Sequence, residues 1–230
     1  MTSRRPRALT ALVAVASLTL GACSGDADEG RDPGEVLAQA KATLDETSGV
    51  RITLETEKLP PSVDGIVRAT GVGTHGPAFE GDLTVATGGI TADVPVVAAQ
   101  GKVFAKLPFT TEYVEVDPSA YGAPDPAGLM EPEGGLSSLL SDVEGVEEGE
   151  QVRSGEDVLS TYRGTVPGAA VASIVPSASP DSDFEATFTL DDGDRLREAE
   201  LTGPFYPQVD DVTYTITFEE YDTTADITVP

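Results

Sequence analysis

Six segments of this chain alternate apolar and polar residues with period two, and that alternation limits what the chain can fold into more than any other feature. Val50, Ile52 and Leu54 alternate with Arg51, Thr53 and Glu55. The same pattern returns in "FEGDLTVAT" (Phe79, Gly81, Leu83, Val85), "GITADVPVV" (Ile90, Ala92, Val94, Val96) and "GKVFAKL" (Val103, Ala105, Leu107). It returns again in "DFEATFTL" (Phe184, Ala186, Phe188, Leu190) and "DVTYTITFEEYD" (Val212, Tyr214, Ile216, Phe218). Side chains of a strand point to opposite faces in turn, so each segment predicts a strand with one buried face. Gly88-Gly89, Gln100-Gly101 and Asp192-Gly193 fall where tight hairpin turns belong, which makes neighbouring strands antiparallel. Ala199 and Leu201 mark a return strand, "GEQVRS" and "VLSTYRGTV" suggest another pair, and "ADITVP" would end the sheet. Pro95 is unusual within a strand and points to an edge or a bulge there.

Three helices interrupt this pattern. Asp32 can cap the first, Pro33 suits its first turn and Glu35 can answer free backbone N–H groups, while Val36, Leu37, Ala40 and Leu44 recur at helical spacing up to Ser48-Gly49. "GLSSLLSDV" (Leu136, Leu139, Leu140, Val143) and "GAAVASIVP" (Val171, Ile174, Val175) predict two short ones. Between the fourth alternating stretch and the first of these short helices, Pro118, Pro124, Pro126 and Pro132 exclude regular structure. About nine to eleven strands in one sheet must curl, and the apolar face must be covered. The expected fold is therefore α+β, a strongly curled antiparallel half-barrel with helices over its concave face.

The N-terminus carries a different message. Arg4, Arg5 and Arg7 precede the apolar "ALTALVAVASLTLG", too short for a spanning helix of about 20 residues. Leu20-Gly21-Ala22-Cys23 follows, with the only cysteine of the chain. Positive start, apolar middle and small residues are the layout of a secretory signal. The last four residues match the bacterial lipobox, which implies cleavage before Cys23 and a diacylglycerol on its sulfur. An unpaired thiol in an oxidising compartment would otherwise be a liability. The expected division is a signal peptide over 1–22, a flexible lipidated tether over 23–32 ("SGDADEGRD" has nothing to bury) and one domain over 33–230. Expected location is the outer face of the plasma membrane, in the cell envelope, anchored at Cys23.

The chain's formal charge is -26, and removal of the leader, with three of the fourteen basic residues and none of the forty acidic ones, makes it -29. Such a surface argues against nucleic acid and against spreading on anionic headgroups. Catalysis finds little support. His75, the only histidine, sits in the glycine-rich "GVGTHGP" and reads as a surface turn residue without a neighbouring nucleophile. Asp191, Asp192 and Asp194 around Gly193 lack the ligand spacing of a calcium loop and read as a solvated hairpin. No metal site, no cofactor and no catalytic residue is expected.

The order of these parts resembles the LppX/LprAFG lipoproteins of mycobacteria and actinobacteria. The resemblance runs through the lipobox, "LDETSGVRITL", "FEGDLTVATGGITADVPVVAAQGKVFAKL", "DPAGLMEPEGGLSSLLSDV", "YRGTVPGAAVASIVP" and "ATFTLDDGDRLREAELTG". It implies a large apolar cavity between the concave face and the helices, which takes the acyl chains of an envelope lipid or glycolipid. It further implies a non-enzymatic carrier that assists lipid transfer between membranes, in some members beside a major-facilitator-type exporter. The protein is expected to act as a monomer. Small and branched side chains on the strand faces agree with free space there, although the same residues also fill an ordinary core. Candidate lining residues are Val50, Ile52, Leu54, Phe79, Leu83, Val94, Val96, Val97, Val103, Ala105, Leu136, Leu140, Val171 and Ile174. Two other readings stay open: an envelope adaptor or signalling lipoprotein with a filled core, and a hydrolase whose nucleophile and base only the fold brings together.

Overall fold

The computed structural model describes residues 31–57, 59–155, 157–207 and 209–230, so the signal peptide, Cys23 and nearly all of the tether lie outside the described residues. Helix α1 (Pro33–Glu46) begins as its sequence requires: Asp32 Oδ1 accepts from the backbone N–H groups of Gly34 at 2.9 Å and Glu35 at 3.2 Å. Its stripe of Val36, Leu37, Ala40 and Leu44 is buried. α2 (Leu139–Asp142) and α3 (Gly168–Ile174) are one-turn and two-turn pieces, and short 3-10 turns occupy Pro118–Tyr121, Gly128–Met130 and Leu136–Ser138.

Twelve strands form the sheet: β1 (Gly49–Glu55), β2 (Gly65–Thr74), β3 (Ala78–Thr87), β4 (Ile90–Ala99), β5 (Lys102–Ala105), β6 (Val114–Val116), β7 (Glu144–Glu148), β8 (Val152–Ser154), β9 (Asp157–Val166), β10 (Phe184–Leu190), β11 (Leu196–Gly203) and β12 (Val212–Glu219). The spatial order is β6-β5-β4-β3-β2-β1-β12-β11-β10-β9-β7, with β8 also on β9, and every described pairing is antiparallel. β12 returns to lie between β1 and β11, so the C-terminal part joins the N-terminal meander in one open ladder. The expected turns form: Gly88 and Gly89 have φ of 55° and 80°, Gln100 and Gly101 57° and 72°, the paired left-handed residues of a two-residue hairpin loop. At the β10–β11 turn, Asp191 Oδ1 accepts from the N–H groups of Gly193 and Arg195, both at 3.0 Å. "ADITVP" makes no strand. Thr223 N–H reaches Gly49 C=O at 3.1 Å, and the tail then runs beside Thr74 and Ala78 as irregular chain.

The register shows which side chains share a face. One row runs Val94, Leu83, Ala69, Leu54, Ile216, Ala199, Phe188, Tyr162 from β4 to β9. The next runs Val114, Ala105, Val96, Gly81, Gly71, Ile52, Phe218. The opposite face carries Arg51, Thr53, Glu55, Thr215, Thr217, Glu198 and Glu200. Cover over the apolar face is uneven. The three helices and Met130 pack on β1 and β9–β12 as the larger buried cluster. Over β3–β5 a second cluster of Phe79, Val96, Ala98, Val103 and Ala105 is capped by Ala127, from the proline-bearing segment. Residues Arg31–Pro230 form one compact unit.

Candidate functional site

Between the two clusters the apolar face has a floor of glycine. Gly71 and Gly73 of β2 and Gly81 of β3 point to this face, at positions where the neighbouring rows carry Ile52, Val50 and Val96. Larger side chains lie over them. A Cβ on Gly71 would stand 2.5 Å from Phe79 Cζ, one on Gly81 2.8 Å from the same atom, and one on Gly73 2.6 Å from Met130 Cγ and 2.8 Å from its Sδ. The Phe79 ring and the Met130 thioether thus fill a seam that any side chain on β2 would close. From Gly73 to Ala69 it extends about 14 Å along the strand. Beyond Ala69 the face is only partly covered, with Leu83, Val85, Ala92 and Val94 half-buried.

The helical cover is fastened around this seam. His75, in the β2–β3 turn, donates from Nε2 to the Leu44 carbonyl at 2.8 Å, which ties the end of α1 to the hairpin. It is half-buried, and its Nδ1 has no partner. The expectation of a plain surface residue is corrected: the ring docks a helix. Lys41 bridges Asp45 and donates to Pro132 C=O at 2.9 Å, tying α1 to the proline-bearing segment. At the N-terminal end of α1, both guanidinium NH2 groups of Arg31 reach Asp194 at 2.6 Å.

At the other end of the strands, Phe205 and Tyr206 lie over β10, β12 and the start of β2. Phe205 meets Phe184 and Tyr214 edge-on at centroid distances of 4.8 and 4.9 Å. Tyr214 donates to Ile66 C=O and Tyr206 to Tyr214, both at 2.8 Å. Burial pushes both phenols above their ordinary range, so they stay neutral hydrogen-bonding groups.

The candidate lining residues divide accordingly. Val50, Ile52, Leu140, Val171 and Ile174 are buried in the larger cluster, with Leu54 and Leu136 half-buried against it. Phe79, Val96, Val103 and Ala105 belong to the smaller one, with Leu83 and Val94 at its margin. Val97 does not join them: it pairs with Glu80 and Phe104, on the face opposite Val96, because adjacent residues of a strand cannot share a face. The glycines, Met130 and Ala127 carried no such signal. Two open surface pockets among the described residues touch none of the candidates. One, of about 310 Å³, is lined by Pro60, Pro61, Asp210, Asp211 and Val212; the other, of about 340 Å³, lies between the C-terminal tail and the β2–β3 hairpin.

Among the described residues no group of three or more His, Cys, Asp or Glu is placed to hold a metal ion, and no helix is long and apolar enough to cross a membrane. Asp191 and Asp194 are engaged in the turn and with Arg31.

The described residues build an open antiparallel sheet with one apolar face under a few short helices. Residues 32–229 match the family described as LppX_LprAFG lipoprotein, and the chain belongs to that family. Among solved structures it is similar to LprF from Mycobacterium bovis, with a TM-score of 0.69 and 15% identity over 86% of this chain and 96% of that one. It is also similar to the lipoprotein LppX from Mycobacterium tuberculosis, with a TM-score of 0.62 and 16% identity over 85% of this chain and 98% of that one. Both likenesses show the same mostly antiparallel sheet with few helices. No curated protein matches the sequence.

Proposed function

We propose that the protein is a non-catalytic lipid carrier of the cell envelope, anchored through an acylated Cys23, that shields the acyl chains of a lipid or glycolipid against the apolar face and assists their transfer between membranes. The observation that carries this is the glycine-floored seam. Gly71, Gly73 and Gly81 leave a strip without side chains along the strands, and its occupants are an aromatic ring and a flexible thioether that can adapt to a neighbour. Displacing Phe79 and Met130 while the sheet curls around the helices would give an apolar channel lined by Ile52, Leu54, Leu83, Val94, Val96 and Ala105. The polar headgroup would remain at the half-covered end. A monomeric state and a major-facilitator-type exporter partner belong to the same reading and rest on the family resemblance.

The test is native mass spectrometry of residues 24–230, purified from an actinobacterial host, with extraction of the bound material. A stoichiometric di- or triacyl lipid is expected. Leu83→Trp and Val94→Trp, which fill the margin of the seam, are expected to abolish uptake while leaving circular dichroism nearly unchanged. Retention of lipid in both variants would remove the seam from the proposal. The close burial of Val50, Ile52, Val171 and Ile174 favours the second reading, an envelope adaptor with a filled core. An apo protein that also refuses labelled phospholipid and glycolipid would establish it.

A further inference from the structure

The loop between β5 and β6 exposes apolar side chains for a reason that lies in β4. Pro95 C=O accepts from Lys106 N–H at 2.9 Å, so the backbone of Pro95 faces β5. N–H and C=O of one residue in an antiparallel ladder point to the same side, and proline has no N–H to give. The β4–β5 ladder therefore stops, its last paired residues being Val96 and Ala105 and the Lys106 bond, and residues 106–113 leave the sheet. Thr110 closes the turn, its N–H and Oγ1–H both bonding Leu107 C=O, at 3.0 and 2.7 Å. Phe109 stands at its tip with φ of 68° and complete exposure, beside Leu107 at 38% and Pro108. A β-carbon residue held in left-handed backbone at a protruding tip, with no protein neighbour for its ring, is a costly arrangement without a function.

Two further observations select the partner. In a chain with forty acidic residues, residues 106–113 carry one cation, Lys106, and a single carboxylate, Glu112. Ile90, 67% exposed, is at the same end of the strands, where the half-covered margin of the apolar face opens. This end is opposite the β10–β11 turn where Arg31 is docked. A tip of zero net charge, with Lys106 set against Glu112, that presents Phe109 and Leu107 to solvent beside the exposed Ile90 suits insertion into a bilayer boundary.

We propose that residues 106–113 form a bilayer-inserting tip, in which Phe109 and Leu107 enter the headgroup boundary and hold the open end of the apolar face against the membrane. This deepens the carrier reading by naming the surface from which lipid is taken, but its test is independent of any bound lipid. Residues 24–230 retain the whole compact unit and are used without the anchor, which would itself bind membranes. The chain contains no tryptophan, so Phe109→Trp supplies the sole one, excited at the red edge of the absorption where the six tyrosines do not respond. Against zwitterionic vesicles of phosphatidylethanolamine and phosphatidylcholine, its fluorescence is expected to shift to the blue and to be quenched by lipids brominated in their acyl chains. Tyr121→Trp, 74% exposed and outside this loop, should keep a solvent-like spectrum. Phe109→Asp should weaken vesicle binding about tenfold or more. A solvent-like spectrum for Phe109→Trp in the presence of vesicles, or an equal response at Tyr121→Trp, would overturn the proposal and leave a protein partner for the tip. Insertion by a protein that carries no lipid would instead uphold the tip and defeat the carrier reading.

Discussion

On one side of β2 the apolar face is built from Phe184, Phe188, Leu190, Ile216 and Phe218 beneath three helices; on the other it is built from Val96, Ala98, Val103 and Ala105 beneath a loop. Both regions share one ladder and one face, so backbone geometry does not distinguish them. Side-chain size does. Large side chains interlock with α1, α2 and α3 and commit that half to a filled core, in which every contact is already made. Alanine, valine and glycine leave a shallow surface that a proline-bearing segment can cover without interdigitating. A sheet that must both hold together and admit a guest can assign the two tasks to different halves, with the glycine seam as the border.

Substitutions can break this division. Phe188→Ala, in the helix-covered half and 1% exposed, is expected to cost about 3–5 kcal/mol in urea unfolding. Val94→Ala, half-buried in the other half, should cost about 1 kcal/mol. Equal losses would mean that both halves are equally filled. A side chain placed on the border tests the seam itself. Gly73→Val drives a branched side chain against Met130 and should cost about 1–3 kcal/mol, with lipid uptake lost in mass spectrometry. A variant that is destabilised yet still loaded would show that the seam is structural only.

The smallest effect is expected on the outer face, where the division should not matter. Burial, and then the neighbouring carboxylates Glu200 and Glu55, hold the Glu198 carboxyl above its ordinary value. The folded form therefore binds this proton more tightly than the unfolded chain, and stability falls as pH rises from below 4.5 through the folded value. Glu198→Gln should raise neutral-pH stability by about half a kcal/mol, after allowance for solvent screening, and the gain should vanish in acid melts. A gain independent of pH would point to a cause other than charge.

Much of the sheet was legible because period two survives wherever one face is buried. β1, β3, β4, β10 and β12 coincide with segments read from alternation alone, and Asp32 caps α1 as its position requires. β2 was not legible, although it is central. Its inward positions are Ala69, Gly71 and Gly73, so the alternation that marks a strand is blank where the seam lies. β6 and β7 escaped for another reason: they are short, and each sets only one partly buried valine, Val116 or Val146, against the core, too few to show an alternation. Pro95 was read as an edge or a bulge, and it proves to be where a ladder ends.

The sequence by itself determined the alternation, the turns, the helix caps and the family, because these are written in residues close together or in their order. Only the tertiary structure decided which apolar residues meet. Val96 and Val97 are equally apolar on paper, yet register sends them to opposite faces. Gly71 and Gly81 become one floor, and Phe79 its occupant, through pairing across strands. His75 becomes a clasp through a carbonyl thirty-one residues away. A side chain's face is local, but its neighbour is set by strand register and by what folds over the sheet, and neither is a property of any short stretch of chain.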